Sequence, residues 1–156
     1  MAVTLGCASG PPRRFGDAGL RPLEEVRALR VIDRALQEQG LRPERGRRFQ
    51  LAARRDLECD VAIAGTRHCL EFVVAEDRAA FGQFLPRATR PGALVLAPGA
   101  ERDRGADMLV LDDGDYRYEP DAEAVGAGRP AVLEVEDRLY RAVVDYTTWL
   151  RDNGRL

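Results

Sequence analysis

The 156-residue sequence predicts an α/β (α+β) fold in which a central mixed sheet with an antiparallel meander is flanked by an N-terminal helix and a long C-terminal helix. Three observations predict it. Apolar residues recur every three or four positions near both ends of the chain, they alternate every second position between Arg47 and Glu76, and two short apolar runs further on are bounded by glycine and proline. With 45% hydrophobic and 32% charged residues the composition is that of a chain that buries a core. The length suits one domain, expected over residues 21–156, behind a flexible N-terminal arm of residues 1–20 that is rich in Gly, Pro and Arg and lacks periodicity.

Taken in order, Pro22 suits the first turn of a helix, and Glu24 and Glu25 follow where carboxylates favour the positive end of the dipole. Leu29, Ile32 and Leu36, with Val26 and Ala35, form its apolar stripe, and Gly40 ends it. The period then changes to two, predicting strands near Phe49 to Arg54, Leu57 to Ala64 and His68 to Ala75, with Gly65-Thr66 turning the last pair. Asp77 caps a short helix through Phe81 and Phe84 that Pro86 ends. Ala93 to Ala97 and Met108 to Leu111 read as buried strands, and Tyr116 to Glu119 as a brief return strand after the Asp112-Asp113-Gly114-Asp115 turn. A loop surrounds Gly126 to Gly128. Pro130 then opens a long helix with Val135, Leu139, Val143, Tyr146 and Leu150 on one stripe, closed by Asn153-Gly154.

Charge and rare residues narrow the function classes. All 24 basic residues are arginine, so lysine chemistry such as Schiff-base formation is excluded. The net charge of −2 does not support nucleic-acid or anionic-membrane binding by the chain as a whole. Cys7, Cys59 and Cys69 are odd in number and form no CxxC pair, which disfavours zinc and a disulfide framework and points to a reducing, cytoplasmic setting. Residues 1–10 read as neither a signal peptide nor a membrane span.

One constellation carries chemistry. A tight turn at Gly65-Thr66 places Asp60 opposite Glu71 and Glu58 opposite Val73, with the carboxylates on one face. Cys59, Val61, Ile63, Leu70, Phe72 and Val74 share the other face, where the core is expected. Facing carboxylates repel, and either arginine or a divalent cation such as Mg²⁺ would compensate them. Glu25 falls on the helical stripe expected to face the sheet.

A helix with an inward Glu25, a hairpin bearing Asp60 and then Glu71, a following helix and a further strand resemble the PD-(D/E)XK, or restriction-endonuclease-like, nuclease superfamily. The resemblance covers roughly Leu23 to Leu111, and its motif is an Asp, about ten residues, then Glu-x-Lys. Cys59 stands where the family has proline and Val73 where it has the lysine. The resemblance implies Asp60 and Glu71 as catalytic carboxylates and Mg²⁺ ligands, with Glu25 or Glu58 as further ligands, but no group at Val73 to organise the attacking water. Arg78, in the next helix, is the local candidate for stabilising charge.

The expected function is therefore a non-catalytic accessory or protein-binding module with a degenerate fold of this type and no cofactor. A Mg²⁺-dependent nuclease or phosphodiesterase using Asp60 and Glu71 is the alternative, and an unrelated α/β fold is the third reading. Tyr140, Tyr146 and Trp149 on the last helix are the candidate contacts for a protein partner or a second copy of the chain. His68 reads as a hairpin-end residue and Cys69 as structural. The Asp112–Asp115 acids read as a turn, and Arg42, Arg45, Arg47 and Arg48 as a solvated loop.

Overall fold

The computed structural model describes residues 19–120 and 130–156. Apart from Gly19 and Leu20, the expected N-terminal arm lies outside the described residues, as does the expected Gly126 to Gly128 loop. Helix α1, Glu25–Glu38, buries Ala28, Val31, Ile32, Ala35 and Leu36. The stripe is thus turned from the expected one, since Val26 is 63% exposed. Gly40 ends α1 in the left-handed region, and Leu41 donates back to the Leu36 carbonyl at 2.9 Å. Before α1, β1 (Arg21–Pro22) makes a short rung with a strand near the C-terminal helix, described below.

The expected three-strand meander is instead divided between two sheets. Strands β3 (Arg47–Ala52) and β4 (Arg55–Cys59) form an antiparallel ribbon of their own, with Phe49 opposite Leu57 and Arg48 opposite Glu58. It turns at Arg54, whose φ is +61°. Strands β2 (Pro43–Glu44), β5 (Val61–Ile63), β6 (Cys69–Val73), β7 (Leu96–Pro98) and β8 (Asp107–Asp112) build the main sheet in the order β2-β5-β6-β8-β7. All its neighbours are antiparallel except β6 and β8, which run parallel across the crossover made by α2 (Ala75–Phe81). Strand β9, Arg117–Tyr118, pairs with β1. Helix α3 spans Val132–Asp152.

Both faces of the main sheet are buried. Val61, Ile63, Leu70, Phe72, Leu109 and Leu111 pack against α1 and α3. All five residues expected on the stripe of α3 are fully buried there. Ala62, Cys69, Val73, Met108 and Val110 form a second core with Phe49, Leu51 and Leu57 of the ribbon and with Leu85 and Ala97. This is why β6 is buried at every position, as expected of a strand covered on both sides. Each fully buried aliphatic side chain contributes roughly 1.5–3 kcal/mol, so the ribbon face is as much a core as the helical face.

The predicted single strand over Leu57 to Ala64 therefore breaks at Asp60. The break reverses the face presented by the preceding residues, because side-chain direction alternates strictly along a strand. Cys59 is turned away from Val61 and onto the ribbon face, where it meets Cys69. The two are joined by a disulfide with a Cα–Cα distance of 6.3 Å, within the range such a bond spans. The expectation of three free thiols is corrected here: an unbroken strand would hold Cys59 and Cys69 on opposite faces.

Alkylation of the unfolded, unreduced chain is expected to label Cys7 alone. Reduction should lower stability by about 3 kcal/mol, the chain-entropy value for a loop of this size. Labelling of all three cysteines without reductant would show that the bond does not form.

Candidate functional site

The hairpin of β5 and β6 has the register read from the sequence, with Val61 opposite Leu70 and Ala62 opposite Cys69. Ile63 donates to the His68 carbonyl at 3.0 Å. Rungs of this kind recur every second residue in an antiparallel pair, so the next but one would join Cys59 to Phe72. The chain leaves the sheet at that point. Asp60 Oδ2 accepts the Phe72 N–H at 2.7 Å in place of a carbonyl. In return, Asp60 N donates to Glu71 Oε2 at 3.0 Å. Two side-chain acceptors thus take over from the main-chain ladder.

This contact places two carboxyl groups together in a poorly hydrated position, Glu71 being 2% exposed. Burial is the main cause that raises the Asp60 carboxyl to about 6, with Glu25 and Asp77 adding to it and the Phe72 N–H and Arg45 opposing it. Burial also leads in raising Glu71 to about 9, followed by the Asp60 charge, while the Asp60 N–H opposes it. At neutral pH the pair therefore carries one negative charge rather than two, with the proton on Glu71.

Of the other expected site residues, Glu25 lies exposed at the start of α1 and reaches the pair only through its charge. Glu58 departs with β4 and stands opposite Arg48, so the expectation that it faces Val73 is corrected by the strand break. Val73 is 1% exposed within the second core. Arg78 donates to Asp112 and to the Leu85 carbonyl and forms no hydrogen bond or ion pair with Asp60 or Glu71. Asp77, which the sequence marks only as a helix cap, accepts the Val74 N–H at 3.0 Å and adds its charge to the cluster. The cation whose charge opposes the Asp60 shift is Arg45, itself paired with Asp33 at 2.6 Å. Neither neighbour is legible from spacing, since each comes from an element brought in by the fold.

One oxygen of each central carboxyl is committed to a main-chain N–H, and among the described residues no group of three His, Cys, Asp or Glu side chains is arranged to hold a metal. His68 sits at the turn end of β6, 5% exposed, its Nδ1 accepting the Asp107 N–H at 3.1 Å. Burial, then Arg155 and Arg67, lower its pKa. Asp112 accepts the Gly114 N–H at 3.1 Å and pairs with Arg78 and Arg87, as a turn acid does.

The three aromatic residues of α3 divide. Tyr146 is fully buried and its hydroxyl donates to the Asp107 carbonyl, which removes it from any partner surface. Tyr140 and Trp149 are half-buried. Arg34 lies 5.6 Å from the Tyr140 ring centroid and Arg155 lies 5.0 Å from that of Trp149. Among the described residues no helix is long and apolar enough to cross a membrane. Comparison with protein-family models, curated proteins and solved structures finds no match to this chain.

The raised carboxyls set the sign of the pH dependence. In the unfolded chain Glu71 ionises at its ordinary value, 4.5, but in the folded protein it holds its proton to about 9. The folded state thus binds more protons across this window, and stability falls as pH rises through it. Glu71→Gln keeps an acceptor for Asp60 N and is expected to flatten that decline, leaving the variant more stable than the parent at the alkaline end by roughly 1–3 kcal/mol. Denaturant midpoints measured across the window check this. An unchanged slope in the variant would show that Glu71 ionises normally in the folded state.

Proposed function

We propose that this chain is a non-catalytic accessory or protein-binding module of restriction-endonuclease-like fold, in which the acidic pair is a strand junction rather than an active centre. The order of elements supports the fold reading: α1, antiparallel β5 and β6 bearing Asp60 and Glu71, α2, then β8 parallel to β6. One observation carries the non-catalytic reading: the two carboxyls satisfy each other's strands through main-chain N–H groups while apolar Val73 fills the motif-lysine position. Hydrolysis needs a group that takes or positions a proton at the attacking water. Arginine stays protonated, and His68 accepts the Asp107 N–H at the far end of the hairpin.

The Mg²⁺-dependent nuclease is a second reading because the charges of Glu25 and Asp77 raise both central carboxyls and that of Asp60 raises Glu71, a repulsion that a divalent cation relieves. Calorimetric titration with Mg²⁺ and Mn²⁺ separates the two. The accessory reading expects no saturable heat at millimolar metal, and no cleavage of single- or double-stranded DNA or RNA. Saturable binding and cleavage, both lost in Asp60→Asn and Glu71→Gln, would overturn it. The amide variants retain acceptors for the two N–H groups, so loss of fold does not confuse the result.

The residues proposed to contact a protein partner or a second copy are Trp149, on one flank of the buried stripe of α3, and Tyr140, on the opposite flank beside α1. Trp149→Ala is expected to keep cooperative unfolding and to shift the sedimentation coefficient of a self-associating chain to that of the monomer. A native chain that sediments as a monomer at high concentration would remove the second copy from consideration.

A further inference from the structure

The sheet face that carries α3 holds a groove of about 620 Å³, on the opposite face from Glu71. It exists because β7 is too short to cover β8. Leu96 pairs with Leu109, and Val110 still donates to the Val95 carbonyl at 2.8 Å, but the last residues of β8 have no neighbouring strand on that side. Residues 88–94 cross the gap as an irregular segment, and α3 forms the other wall. The volume falls in the range of small-molecule sites, roughly 300–1,000 Å³. Leu94, Leu109, Leu111 and Ala142 give it an apolar floor.

The polar groups around that floor are unequally satisfied. Asp112 is paired with Arg78 and Arg87, and Arg141 with Asp137. The side chains of Arg90 and Arg138, both exposed in the lining, form no hydrogen bond or ion pair with any described residue. The Tyr116 hydroxyl, in the same lining, donates to no described group. Burial, and after it the Asp115 charge, raise its pKa, so it stays a donor, while the Arg138 charge opposes that shift. The Arg138 guanidinium and the Tyr116 O–H, both from residues of the lining, suit a carboxylate, which accepts from both, although the Arg138 charge also acts on Asp115. Asp115 and Asp145 also line the groove and disfavour a second negative charge on the occupant.

We propose that this groove binds a small monoanionic organic acid, its hydrocarbon body on Leu94, Leu109, Leu111 and Ala142 and its carboxylate between Arg138 and the Tyr116 hydroxyl. The site shares no residue with the Asp60–Glu71 junction and does not depend on the accessory reading.

Decanoate is the probe, titrated into the full chain and followed by amide NMR shifts and calorimetry. Saturable shifts are expected in residues 88–95, the end of β8, Tyr116 and the Arg138 to Asp145 stretch of α3. Arg138→Ala should weaken binding about tenfold or more, the usual loss for a charge-assisted contact, with an unchanged melting temperature because Arg138 is exposed. Leu94→Trp, which fills the floor, should abolish binding. Decanol, lacking the charge, and sebacate, carrying two, should each bind about tenfold or more weakly than decanoate. Lack of saturation at millimolar decanoate, shifts elsewhere on the chain, equal affinity for decanol, or undiminished affinity in Arg138→Ala would each overturn the proposal.

Discussion

The pair of hydrogen bonds by which Asp60 accepts the Phe72 N–H and Glu71 accepts the Asp60 N–H is the contact on which the rest of the architecture depends. An antiparallel pair that loses a strand leaves main-chain N–H groups without acceptors, and a buried donor left so costs roughly 1–3 kcal/mol. Here the carboxylate of one strand takes the N–H of the other, in both directions. The chain can therefore leave the main sheet at Asp60 at little cost in unsatisfied groups. The segment released is the β3–β4 ribbon, which folds over the second face of the sheet and closes the second core.

That device has an electrostatic consequence. Two carboxyls brought into a site shielded from water cannot both ionise cheaply, so burial and mutual repulsion leave a proton on Glu71. A group that is neutral and hydrogen-bonded to main chain is well suited to a structural junction. The Cys59–Cys69 disulfide sits beside the junction and ties the ribbon to β6, so the covalent and hydrogen-bonded links act on the same break.

The elements with strong local signals were legible from the residues. Helix α3 shows every stripe position in place, because a period of 3.6 over many residues leaves one way to bury Val135, Leu139, Val143, Tyr146 and Leu150. The β5–β6 register was legible because a one-residue slip would turn Val61 and Leu70 out of the core. Weaker signals misplaced their elements. Residues 93–97 read as a strand, but pairing begins only at Leu96, where β8 supplies a partner. Tyr146 looks like a surface anchor by residue type, yet its hydroxyl finds an acceptor inside the protein.

What the sequence determined alone was the α+β class, the two long helices, and the meeting of Asp60 and Glu71 across a tight turn, because each follows from periodicity or from spacing within about ten residues. Tertiary structure alone decided that the strand breaks at Asp60. Within an alternating run nothing local marks the residue at which a second layer claims the chain, and the choice rests on what Phe49, Leu51 and Leu57 must cover. From that decision follow the pairing of Cys59 with Cys69, the departure of Glu58, the neutral Glu71, and a sheet with two buried faces.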